Sequence, residues 1–283
     1  MTCARTSSRG GAPLALALFA AAVCYAPLHA AEQPLWEVGL GIGVLGYDNY
    51  RGADTSHVYP VPVPYVAYNG PILKADQEGV RGFLFDRKWD EVNLSGDFTM
   101  PVSNDRTRSG MPQLKPTIEA GVMVDFHLWR SEDSRIKLDL RVPVRQAFTL
   151  QMPPQPIGWT LTPGFRLRVK DPGGLTGWNA GIYTGPLFAN RHYDDYFYTV
   201  PPQNATASRP AFQATGGYAG TQLDIDMTKR FPHYWFGAFV RYDTLAGAVF
   251  EDSPLVQRDH YWAAGIFAAW MIGKSSRMVE VDH

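Results

Sequence analysis

The residues of this 283-residue chain best suited to chemistry recur with a spacing of two. Glu119, Asp125 and His127 share one parity of the stretch 117–128, and Lys137, Asp139, Arg141 and Arg145 fall on the charged positions of the stretch 136–145. Arg166, Arg168 and Lys170 repeat the pattern further on. Strand side chains alternate faces, so each set lies on one side of a β-strand. Acids opposite bases on neighbouring strands make a cross-strand ion-pair ladder that stiffens a wall. If such a wall encloses a passage, the same cations bias it toward anions. These nine residues from Glu119 to Arg168 are the candidate lumen lining.

Other candidates are weaker. A hydrolase needs a serine, a histidine and an acidic partner, but His127 lies on a polar strand face and Ser131 in a turn. Asp125-x-His127 offers two metal ligands on one face without further partners at suitable spacing. His192, Asp194 and Asp195 form an acidic cluster in a tyrosine-rich loop, 190–209. Ser253 in Asp252-Ser253-Pro254 lacks a positioned base and reads as a turn. Asn204-Ala205-Thr206 matches a glycosylation sequon that a bacterial protein would not use. Gly39-x-Gly41-x-Gly43 has the wrong spacing for a nucleotide loop, and no helix follows it. The expectation is a protein that is not an enzyme and has no catalytic residue, cofactor or metal.

The elements that position the charges are β-strands. In the hairpin 116–144, Ile118, Ala120, Val122, Val124, Phe126 and Leu128 oppose the charged parity of the first arm. After the turn Ser131-Glu132-Asp133-Ser134, Ile136, Leu138, Leu140, Val142 and Val144 do the same in the second. Two arrangements satisfy this pattern: apolar face on a soluble core with charges in water, or apolar face toward lipid with charges around a lumen. The arms are at the long end for soluble strands and match the roughly 9–11 residues of a membrane-spanning one.

The first 30 residues read as a secretory signal peptide, with Arg5 and Arg9 ahead of the apolar run 14–23 and Leu28-His29-Ala30 at the cleavage site. Both cysteines of the chain, Cys3 and Cys24, lie inside this leader. Residues 31–283 would then form an exported domain without disulfides. Its charge balance is close to even, which gives no reason to expect a nucleic-acid partner. An exported chain without disulfides or an apolar helix, built of long alternating strands, points to the outer membrane. The fold class expected is all-β, a transmembrane antiparallel β-barrel.

Strands are expected at 36–44, 58–68, 72–77, 80–85, 91–100, 118–128, 136–145, 159–170, 178–188, 210–227 with a bulge at Gly216-Gly217, 234–244 and 261–272. Both ends of a bacterial barrel lie in the periplasm, which requires an even number, and this division gives twelve. It also puts the short turns on one side and the long loops on the other. Pro60, Pro62 and Pro64 remove ladder donors, so the second strand should be weakly paired along one edge. Trp36, Trp178, Trp235 and Trp270 are expected at periplasmic strand ends and Trp159 and Trp262 at outer ends, as interfacial girdles.

In the C-terminal third the chain resembles the MipA/OmpV family. The residues that carry this are Tyr196-Phe197-Tyr198-x-Val200, Arg209-Pro210-Ala211-Phe212 with Gly216-Gly217-Tyr218, Tyr242-x-x-Leu245-x-Gly247-Ala248, and Asp252-Ser253-Pro254-Leu255-Val256. Tyr47 with Gly52-x-Asp54, and Gly110-Met111-x-x-Leu114, are similar upstream. The resemblance implies an outer-membrane barrel, in contact with lipid and lipopolysaccharide, that scaffolds murein-remodelling enzymes. A murein lytic transglycosylase and a penicillin-binding protein are the implied partners, and a porin-like channel is the implied alternative. Many barrels end on an aromatic residue, whereas here eleven residues, mostly polar, follow Ile272.

Overall fold

The computed structural model describes residues 31–70, 73–76, 79–82, 90–99 and 105–281. The leader assigned to residues 1–30 lies outside them. Fifteen strands are present among the described residues: β1 (Ala31–Pro34), β2 (Trp36–Asp48), β3 (Ser56–Asn69), β4 (Leu73–Asp76), β5 (Gly79–Gly82), β6 (Asp90–Thr99), β7 (Thr117–Arg130), β8 (Ile136–Thr149), β9 (Pro156–Leu161), β10 (Gly164–Lys170), β11 (Trp178–Ala189), β12 (Gly217–Arg230), β13 (Tyr234–Thr244), β14 (His260–Lys274) and β15 (Met278–Val281). Among the described residues one α-helix of two turns, α1, spans Arg191–Tyr198, and short 3-10 turns lie at Pro172–Gly174 and Pro202–Asn204.

Thirteen strands form one sheet in which every pairing is antiparallel. Strands β2 to β9 pair in sequence order, as do β10 to β14, and β14 pairs with β2 from Lys274 to Ala263. The stretch expected as one strand at 159–170 is broken into β9 and β10. Pro163 cannot donate to a ladder, and its neighbour Pro143 on β8 removes a second donor at the same level. β8 pairs with β10 through Ile136–Arg141 and with β9 through Val144–Phe148, and β11 meets both in the same way.

Exposure follows the alternation of the sequence, with the apolar parity turned outward. Ile42, Ile118, Val122, Ile225 and Ile266 are exposed, whereas Glu37, Asn93, Asp125, Asp139 and Asp243 are buried. A soluble sheet would show the reverse. Three positions depart from the expected pattern. Trp235 faces inward and packs on Tyr65, with ring centroids 5.9 Å apart, so it is not a girdle residue. A register shift after His127 turns both Leu128 and Trp129 outward. The strand expected from Pro210 begins at Gly217, and the segment before it touches Val200 through a single bridge at Phe212.

The loop expected at 190–209 contains α1. Asn190 caps it, its side chain accepting from Tyr193 N, and Asp194 sits in the first turn where the helix dipole favours an acid. The local signal for this helix is a cap residue, Asn190, with an acid in the turn that follows. The residues after Ile272 also have a place. β14 continues to Lys274, and β15 folds back onto β1 in a separate two-stranded sheet, joining the two ends of the described chain.

Candidate functional site

The buried face of the sheet is a network of ion pairs. Arg141 holds Asp125 with two parallel bonds, Nε to Oδ1 at 2.9 Å and Nη2 to Oδ2 at 3.2 Å, and Asn93 Nδ2 donates to the same carboxylate at 3.0 Å. Asp139 lies between His127 Nδ1, 2.7 Å away, and Arg168. Arg145 Nε donates to Ser95 Oγ at 2.7 Å, while its Nη1 lies 3.8 Å from Glu119 and 3.9 Å from Asp97. Arg166 pairs with Asp226. Lys137 pairs in register with Arg130 and with Arg168, and its side chain is half-buried. Register explains this order: Asp125 faces Arg141 and His127 faces Asp139 directly across the β7–β8 ladder.

Besides Asn93, Ser95 and Asp226, four more interior residues escaped the sequence reading. Arg241 on β13 grips Asp243 through Nε and Nη2, both at 2.9 Å, and its Nη1 reaches Asp97 on β6 at 3.5 Å. Strands β13 and β6 are distant in the sheet order, so this pair spans the interior. Arg51, in the loop after β2, donates from Nη1 to Ala219 O at 3.0 Å and lies 3.9 Å from Asp243. The alternation of β13 already placed Arg241 and Asp243 on the polar parity. Nothing local marked Arg51, because loop residues have no periodicity.

Above this network the long loops pack into a cap. Tyr198 stacks flat on Phe250, with centroids 3.6 Å apart. Around them are buried Tyr50, Leu114, Tyr193, Phe197 and Leu245. Polar bonds lock the cap: Tyr50 OH donates to Leu255 O at 2.8 Å, Ser253 Oγ to Tyr198 O at 2.7 Å, and Tyr198 OH to Arg51 O at 3.0 Å. Arg108 Nη1 donates to Phe197 O at 2.8 Å. Arg209 Nη1 donates to Thr107 O and Ser109 O at 2.7 and 2.9 Å, and its Nη2 to Asn204 O at 2.8 Å. Tyr193 OH and Thr160 Oγ1 both donate to Glu119, at 2.9 and 2.8 Å, joining cap to wall.

The motif residues therefore build the cap. Gly52 adopts φ +94°, and a Cβ there would meet Leu245 and Val256 at 3.1 Å; its carbonyl accepts from Gln257 N and Arg258 N. Gly110, at φ +78°, and Met111 close the turn that Arg209 grips. Asp54 accepts from Thr55 Oγ1 at 3.0 Å. Gly217 and Tyr218 open β12, with Phe188 packed edge-on against Tyr218. Pro210 follows Arg209, and Pro254 follows the buried hydroxyl of Ser253. Asp252 is exposed.

The weaker candidates separate. Ser253 is a cap strut, and the cluster 192–195 splits: His192 is exposed, Asp195 lies 3.5 Å from Arg191, and Asp194 is buried. Neither oxygen of Asp194 has a hydrogen-bond partner among the described residues. Burial pushes its carboxyl up to about 7 against the pull of Arg51. Burial likewise raises the Tyr193 and Tyr198 hydroxyls, so both stay protonated donors. Between cap and network lies a cavity of about 170 Å³ whose lining includes Tyr47, Asp97, Arg145, Phe239, Arg241 and Tyr261.

Fold and site define a class: an antiparallel sheet protein with a charged interior, an apolar exterior and one end capped by its own loops. The chain belongs to the MipA family, whose model, described as "MltA-interacting protein MipA", matches residues 39–272. No curated protein matches the chain. Solved structures give loose likenesses. An outer membrane channel from Pseudomonas putida F1 has a TM-score of 0.44 at 9% identity, covering 87% of this chain and 98% of that one. The outer membrane channel DcaP of Acinetobacter baumannii gives 0.32 at 10%, covering 86% and 98%. The outer membrane protein OprG from Pseudomonas aeruginosa gives 0.23 at 8%, covering 84% and 94%.

Proposed function

We propose that this chain is a twelve-stranded barrel of the outer membrane, not an enzyme, which acts as a docking scaffold for murein-remodelling enzymes. Counting β9 and β10 as one interrupted strand makes twelve, and the pairings of β14 with β2 and of β8 with β9 and β10 support closure. Exposed apolar residues on β2, β7, β11, β12 and β14 suit lipid. The interior charges, from Glu119 to Arg168, are then the lumen wall. Charge is tolerable there because Arg or Lys facing lipid at mid-depth costs about 2–4 kcal/mol.

The observation that carries the scaffold over the channel is the cap. Its aromatic stack and its three arginine-to-carbonyl clamps sit across one end of the interior, and ion pairs cross the space beneath. The family description names an MltA-interacting protein, which makes a murein lytic transglycosylase the first partner to test, with a penicillin-binding protein beside it. Mild crosslinking in cells should co-purify the transglycosylase with this chain; recovery of the barrel alone would overturn the scaffold. In planar bilayers the purified protein should give no steady ionic current. A stable open conductance whose ion preference reverses in Arg141→Glu/Arg145→Glu would establish the porin-like alternative.

A further inference from the structure

We infer that the wall between β3 and β6 is open to the side in its outer half, and that the cavity behind it takes an amphipathic molecule from the outer leaflet. The inference rests on the outer-membrane reading above. It begins with the ladder of β3, which pairs with β2 from Ser56 to Tyr68 without a register shift. In an antiparallel ladder, N–H groups of one parity face one neighbour and those of the other parity face the other. Proline has no N–H. An unbroken β2–β3 ladder must therefore draw its donors from Val61, Val63 and Tyr65, which leaves Pro60, Pro62 and Pro64 pointing at the opposite edge. That edge lacks donors at three alternate positions in succession, so a continuing strand would find no partner for its carbonyls.

The pairings agree. Among the described residues, β3 meets β4 at Tyr68 and Asn69, and β5 meets β6 at Asn93 and Leu94. No pairing is described on this side for β3 beyond Tyr68 or for Ser95–Thr99 of β6. Prolines at an exposed edge also keep other chains from pairing with it, which is what a permanently open seam in a membrane requires.

The chemistry behind the seam is that of an amphipath. On the β3 side, Tyr59 and Val61 face inward and pack with Leu45, Tyr47 and Phe239. On the β6 side, Asp97 and Thr99 bound the cavity. An apolar chain entering over β3 would lie against this aromatic wall. Deeper in the same cavity, Arg51 is nine-tenths buried and its Nη2 has no hydrogen-bond partner. Asp243, 3.9 Å away, is already held by two bonds from Arg241, and the unpartnered Asp194 makes no ion pair with Arg51 among the described residues. What the site lacks is an acceptor for Nη2 of Arg51, and a carboxylate at the end of an acyl chain supplies one.

The test places a photoreactive amino acid, one position at a time, at Val58, Val61 and Met123 in the full-length protein. Each variant is folded into phospholipid vesicles containing a radiolabelled long-chain fatty acid and then irradiated. Val58 is outward-facing, Val61 is half-buried against the Leu45–Tyr47 cluster at the seam, and Met123 is inward on a strand paired on both sides. Expected are adducts at Val61 comparable with those at Val58, background at Met123, and a fall at Val61 when Arg51→Gln is added. Labelling at Val58 with background at Val61 would overturn the opening. Equal labelling at Val61 and Met123 would also overturn it, since the probe would then reach the interior by another route. Background at Val58 itself would sink the membrane reading on which the inference rests.

Discussion

At the scale of single residues, the cap depends on guanidinium groups that bind carbonyls. Arg209 ties the segment 107–109 to Asn204 with three bonds from one planar fork. A lysine keeps the charge but cannot present that fork. Arg209→Lys should therefore destabilise the cap by about 2 kcal/mol, the scale of a lost hydrogen bond to a buried charged group. Faster proteolysis between Thr107 and Gly110, with the strands still protected, would show it. Asp194 gives the cap a pH dependence. Burial holds its carboxyl at about 7 in the folded chain, above the ordinary aspartate value of 3.8, so folding favours its neutral form. The contribution is complete below the unfolded pKa and disappears as pH rises through 7. Amide-exchange protection across Arg191–Tyr198, corrected for intrinsic rate, should fall between these limits. Asp194→Asn should flatten that profile and keep the helix protected at neutral pH.

At the scale of elements, α1 is a short helix held by its surroundings, since two turns are too few to persist alone. Asn190 Oδ1 accepts from both Tyr193 N and Trp159 N, at 3.1 and 3.0 Å, fastening the helix start to β9. Asn190→Ala should cost about 1 kcal/mol as an N-cap loss, seen as local opening of α1 by hydrogen exchange. Gly158 sits directly beneath, at φ +126°, and a Cβ there would fall 2.4 Å from Tyr193 N. Gly158→Ala combines a strained backbone with that clash. It should displace the first turn of α1 and weaken the contact of Tyr193 with Glu119 more than Asn190→Ala does. Tyrosine fluorescence and exchange at Tyr193 distinguish the two variants.

At the scale of the whole molecule, the outward apolar parity is the feature most easily broken. Ile42 is 58% exposed on β2, a strand paired on both sides. Ile42→Arg should impair insertion by roughly 2–4 kcal/mol if the residue lies at mid-depth. The measurement is the fraction of protein reaching the heat-modifiable, protease-resistant form in vesicles. The same substitution in a water-facing sheet would be nearly silent, so the result also tests which solvent surrounds the molecule. The pairing of β1 with β15 belongs at this scale too, because it joins residues far apart in sequence into one small sheet.

Much of this was legible without coordinates, for a local reason. Strand alternation is a property of neighbours in sequence, so the hairpin from Ile118 to Arg145, the order of the strands and the shared face of Glu119, Asp125, Arg141 and Arg145 could be read directly. The prolines of β3 announced a weakly paired edge in the same way. Periodicity is symmetric between the two faces, however, and only the assembled sheet shows that Ile42 and Val122 are exposed while Asp125 and Asp139 are buried. The break at Pro163 depends on Pro143 across the ladder, and the inward turn of Trp235 depends on Tyr65 across the interior. The cap is the extreme case: Tyr50, Arg108, Tyr198, Arg209 and Phe250 come from separate loops, carry no repeat, and meet only because the strands beneath bring the loop ends together.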